Sequence, residues 1–141
     1  KDALYLSCVH VLFDDMTRYL RSEINLSTVT VEQYFTVRMR FFRQHPLHRK
    51  LFSDLLLYPQ NRLQQEIGKC RAEFDAFNNA ALQSVLQKEP LRSQLSMEEA
   101  LLQFRSFVHF LGIYIREDAA SDAEQKANDL LQTMLYGLLA R

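Results

Sequence analysis

An all-α bundle of about six helices is the fold this sequence predicts, and three features predict it. Only 3 Gly and 3 Pro occur in 141 residues, against roughly 10 and 7 on average usage, so the turn punctuation of β-rich folds is nearly absent. Apolar residues recur at steps of three and four along most of the chain, the spacing that lines one face of a helix. The segments so marked are bounded by capping residues and prolines, the start and stop signals of helices. Hydrophobic residues make up 48% of the chain, enough for one domain over residues 1–141 to bury a core.

Taken in order, the first helix runs from Asp2 to Glu23 on the apolar positions Tyr5, Val9, Leu12, Met16 and Tyr19, with Asp14, Asp15, Arg18 and Arg21 toward water. Asn25 to Thr30 is a polar, β-branched connection, and Thr30 caps a second helix that reaches about His45. Pro46 ends that helix, because its ring disfavours helical geometry in the preceding residue, and suits the first turn of a short third helix to Leu57. Pro59 repeats the device and opens the longest helix, to about Gln87, on a seam of Leu63, Ile67, Cys70, Phe74, Phe77 and Ala81. After the break around Pro90, Ser96 and Glu99 form a capping box for a helix from Met97 to Glu117, and Ser121 with Glu124 repeats it for the last helix. No strand candidate or internal repeat is visible.

The last two helices are broader in apolar surface than one packing face requires. Phe104, Phe107, Val108, Phe110, Leu111, Ile113, Tyr114 and Ile115 point in nearly every direction, interrupted by the line Arg105, His109, Gly112 and Arg116. The final helix carries adjacent rows at Leu130, Met134 and Leu138 and at Leu131, Leu135 and Leu139. Such breadth predicts a homodimer paired through an intermolecular four-helix bundle, with Leu111, Tyr114, Ile115, Leu130, Leu131, Met134, Leu135 and Leu138 at the interface.

Arg38 is the residue that most suggests a binding role. It has Tyr34 and Phe35 one turn before it and Phe41 and Phe42 one turn after, so a guanidinium lies among rings. Arginine offers a planar fork for carboxylate or phosphate and stacks on aromatics, although an internal ion pair, or a stem packed on apolar surface with its head in water, fits the same spacing. Met16, Phe35, Phe42, Phe74, Phe77, Phe107 and Phe110 complete a candidate lining for a largely apolar cavity; plain core is the alternative. The expected ligand is a small, mostly apolar effector with an anionic group for Arg38.

Other chemistries have little support. Acidic and basic residues balance at 17 each, so no overall field draws the chain to nucleic acid or an anionic membrane. The basic segment Arg38 to Lys50 reads as a solvated turn where cations complement a helix C-terminus. His10 with Asp14, and His45 with His48, offer two metal ligands each where a site needs more. No catalytic elbow, phosphate-binding glycine loop or zinc-protease motif occurs, so neither an enzyme nor a cofactor is expected. Gly68, Gly112 and Gly137 fall inside helices, which suggests close helix approach or room for a ligand. Two distant cysteines, Cys8 and Cys70, imply no disulfide framework and a reducing cytoplasm. The longest nearly apolar run, Phe107 to Ile115, is about half a bilayer span. The lack of an initiator Met implies a cut ahead of Lys1.

Three stretches resemble the regulatory half of TetR-type transcription repressors. Lys1-Asp2-Ala3-Leu4-Tyr5 is similar to the family's K-(D/E)-x-L-(Y/F) junction between DNA-binding and sensing parts. Phe41-Phe42-Arg43-Gln44-His45-Pro46 resembles its F-x-x-x-P helix end, and Asp129-Leu130-Leu131 with Tyr136-Gly137-Leu138-Leu139 its terminal dimer helix. The likeness spans nearly the whole chain on loose motifs. It implies a TetR-type C-terminal regulatory domain, a helix-turn-helix ahead of Lys1 through which alone operator DNA would be bound, and an effector that shifts the first helix and respaces the recognition helices. A constitutive helical carrier for a hydrophobic ligand, or an interaction scaffold with a filled core, are the rival expectations.

Overall fold

The computed structural model describes the backbone of residues 1–117 and 123–139 and the side chains of 1–110 and 125–139. Among these residues the chain forms six α-helices: α1 (Asp2–Glu23), α2 (Val31–Gln44), α3 (Pro46–Leu57), α4 (Gln64–Gln87), α5 (Met97–Glu117) and α6 (Ala123–Leu138). The all-α bundle of about six helices is therefore the fold.

α1 lays Val9, Leu12, Phe13, Met16 and Leu20 into the core and packs chiefly along α4. Thr17, also buried, donates its hydroxyl to the Phe13 carbonyl at 2.7 Å, which satisfies the one polar group on that face. Ile24 turns the chain out of the helix in extended geometry. Asn25 then holds the connection by accepting from the Ser27 N–H at 3.0 Å and the Ser27 hydroxyl at 2.6 Å. Thr30 caps α2 as a full box: Gln33 N–H donates to its hydroxyl and Thr30 N–H to the Gln33 side chain, both at 3.1 Å.

α2 buries Val31, Tyr34, Phe35, Val37, Arg38, Met39, Phe41 and Phe42. It stops at Gln44, and Pro46 takes the first position of α3. After Pro59 the chain departs from expectation. Gln60 keeps a non-helical backbone, and a single 3₁₀ turn, Asn61–Leu63, precedes α4. The tighter turn carries Leu63 into the core before the α-helical register begins. On α4 the buried line is Ile67, Phe74, Asn78, Ala81, Leu82, Val85 and Leu86, while Cys70 and Phe77 are only partly covered.

The link between α4 and α5 is fastened to the end of α6. Leu91 pairs with Leu139 in an isolated β-bridge, Arg92 N–H donates to the Leu138 carbonyl at 3.4 Å, and the Arg92 guanidinium donates to the Tyr136 carbonyl. Ser96 and Glu99 then cap α5 reciprocally. The box expected at Ser121 and Glu124 lies outside the described side chains.

The two apolar rows of α6 separate. Leu131, Leu135, Leu138 and Leu139 are enclosed within the chain itself, at 0 to 2% exposure. A side chain with no free surface has none to give a second copy, so Leu131, Leu135 and Leu138 belong to the internal core and not to the expected interface. Leu130 is 38% exposed and Met134 half-buried. Leu111, Tyr114 and Ile115 fall among side chains not described. Gly68 and Gly137 have open space where a Cβ would sit, so neither marks a close approach of helices.

Candidate functional site

The centre of the bundle holds a buried cation. Arg38, from the middle of α2, is 4% exposed, and its guanidinium carbon lies 5.9 Å from the ring centroid of Tyr34, 5.8 Å from Phe42, 5.6 Å from Phe52 and 5.5 Å from Phe74. Rings from α2, α3 and α4 thus surround it, within the distance at which a cation is attracted to an aromatic face. Its Nη1 donates to the Tyr34 hydroxyl at 3.1 Å and to the Asn78 side-chain oxygen at 3.0 Å. The Tyr34 hydroxyl donates to that same oxygen. Burial raises the Tyr34 pKa above its ordinary value, with the Arg38 charge opposing, so the phenol stays protonated and donates.

This polar triangle leaves Arg38 incompletely satisfied. Its Nε is buried without a hydrogen-bond acceptor, and among the described residues no carboxylate pairs with it. A neutral amide oxygen and a phenol compensate less than a carboxylate would.

A second feature adjoins this one. The His109 ring meets Phe52 edge-on at 6.4 Å, and its pKa is pulled down to about 4, first by burial and then by the positive charges of Arg38, Arg71 and Arg105. The imidazole is therefore neutral at pH 7.

The predicted lining residues do not form one group. Phe42 and Phe74 flank Arg38, as above. Phe35 pairs with Phe107 at 6.4 Å between centroids, Phe77 lies under the Arg21 guanidinium at 5.6 Å, and Met16 is enclosed on α1. Phe110 is 50% exposed, which places it on the surface and not in a lining. Sequence reading missed Asn78, Phe52 and Phe13. Asn78 was legible in principle, since it falls one turn after Phe74 on the apolar side of α4.

The basic segment is dispersed. Arg40 approaches Glu23 at 3.7 Å and His48 bonds Asp15 at 3.0 Å, while the His45 ring lies tilted against Phe41 at 4.6 Å and His48 stacks on it at 6.0 Å. Among the described residues no group of three His, Cys, Asp or Glu is placed to hold a metal, and no helix is long and apolar enough to cross a membrane. Surface grooves open between the end of α1 and the start of α2, beside Phe41 and His45, and against Tyr136; none of the three is lined by Arg38. Compared with protein-family models, curated proteins and solved structures, the chain finds no match.

Proposed function

We propose that this domain is the effector-sensing and pairing half of a TetR-type transcription regulator. It binds a small, largely apolar molecule through an anionic group on Arg38, and pairs with a second copy through α5 and α6. Operator DNA is contacted by a helix-turn-helix ahead of Lys1, and the ligand acts by favouring one of two arrangements of the pair.

The observation that carries this reading is the state of Arg38: a cation buried among four rings, with one N–H unspent. Breaking the pairing of a buried charge costs about 3–5 kcal/mol, so a site kept short of a counter-ion favours an anion that supplies one. Pairing is supported more coarsely, by Leu102, Phe110, Leu130 and Tyr136, which stay 61, 50, 38 and 79% exposed on α5 and α6.

Two measurements test it. Decanoate should bind at least tenfold more tightly than decanol, with the preference lost in Arg38→Met; equal affinities would remove the anchor. Sedimentation at micromolar concentration should give a dimer, and a monomer would remove the pairing. A spin label on exposed Cys8 of α1, with Cys70→Ser, then reports the inter-subunit distance. A change with decanoate supports regulation, whereas a constant distance points to a constitutive carrier.

A further inference from the structure

Three guanidinium groups and an imidazole gather from three helices: Arg38 of α2, Arg71 of α4, and Arg105 and His109 of α5. His109 feels all three positive charges and the negative charge of Asp75, and Arg105 stands one helical turn before it on the same side of α5. The rings between them are continuous. Arg71 lies 5.3 Å from the centroid of Phe13; Phe13 meets Phe74 at 5.4 Å and Phe52 at 6.3 Å. Those two rings lie against Arg38, and Phe52 also meets His109.

Asp75 is committed to Arg71, which donates to it from Nε at 2.9 Å and Nη2 at 3.2 Å. That leaves Arg38 and Arg105 as two further cations near one neutral imidazole. The Nε of Arg105, like that of Arg38, is buried without an acceptor. Two N–H groups on two helices, both lacking an oxygen, ask for two acceptor atoms, and the two guanidinium groups that carry them favour two negative charges. A monocarboxylate has oxygens for both N–H groups but brings one negative charge to two guanidinium groups.

We propose that this region takes a dianionic head group on an apolar body, bound by Arg38 from α2 and Arg105 from α5 with His109 beside them. The inference rests on Arg38 as an anion anchor and adds the second charge, the second arginine and the histidine. A bound dianion counters the guanidinium field on the imidazole, so ligand binding carries a proton onto His109 at mildly acidic pH. The charged and titratable groups facing His109 are Arg38, Arg71, Arg105 and Asp75.

The test is calorimetric titration with phenyl phosphate, phthalate and benzoate at pH 7.5, where the first two are dianions. At least one dianion should bind tenfold or more tightly than benzoate. Tight phenyl phosphate with weak phthalate identifies a phosphate ester, and tight binding of both identifies any paired oxyanion. Arg105→Gln should lower dianion affinity at least tenfold and leave benzoate within threefold. Nuclear magnetic resonance of the unmutated protein supplies a readout that needs no variant: saturating phenyl phosphate should raise the His109 pKa from about 4 to above 6. Dianions no tighter than benzoate, or an unmoved His109, overturn the inference; the decanoate preference at Arg38 can survive either result, so the two readings fail separately.

Discussion

At the scale of single residues, the balance at the core is set by a few polar atoms. Asn78 accepts from both Arg38 and the Tyr34 hydroxyl, so Asn78→Leu strands two buried donors. We expect a loss of about 1–3 kcal/mol in urea denaturation; Tyr34→Phe should cost less, because it strands only the one Arg38 N–H that donates to the hydroxyl. His109 gives a pH dependence with a definite sign. Its pKa is about 4 in the fold and near 6.5 in the unfolded chain, so the unfolded state binds the extra proton in that interval. Stability without ligand should be unaffected by this group above about pH 6.5 and fall as pH drops toward 4. His109→Gln should flatten that fall in denaturation profiles measured across the range. Arg38 could be singled out from its aromatic neighbours along one helix, because i±4 spacing is a property of sequence. Asn78, Phe52 and His109 reach the same place from α4, α3 and α5, and one-dimensional spacing does not say which helices meet.

At the scale of elements, helix existence and most ends were legible, since capping boxes at Thr30 and Ser96 and the proline at 46 act through local geometry. Pro59 misled because a proline sets only its own φ and constrains the residue before it; the burial of Leu63 decided that a 3₁₀ turn would come first. The double stripe of α6 misled for a related reason. Breadth in a sequence counts apolar positions, but it does not reveal that neighbours supply enough cover for Leu131, Leu135 and Leu138. Two substitutions test these elements. Gly68→Ala, in α4 with open space at the Cβ, should stabilise by about 0.5–1 kcal/mol in thermal or urea melts through helix propensity alone. Leu131→Ala should cost about 2–5 kcal/mol as a core truncation, while the dimer constant measured on the folded protein stays unchanged; weakened pairing with little loss of stability would return Leu131 to the interface.

At the scale of the molecule, α1 and α4 form the broadest contact, and Phe13 of α1 touches two of the rings around Arg38. On the proposed function, a ligand that spreads Phe52 and Phe74 would press on α1 through Phe13. Phe13→Leu should preserve decanoate binding within a few fold but reduce the ligand-dependent change in Cys8 spin-label distance, because the smaller side chain transmits less displacement. The attachment of Leu91 and Arg92 to the end of α6 has its own consequence. Its acceptors on α6 are main-chain carbonyls, so it tolerates drift in the side chains at the end of α6 while depending on the guanidinium of Arg92. Trimming the chain back from Leu139 should make amide protons on the α4–α5 link and on the last turn of α6 exchange faster together, as one latch released at both of its halves.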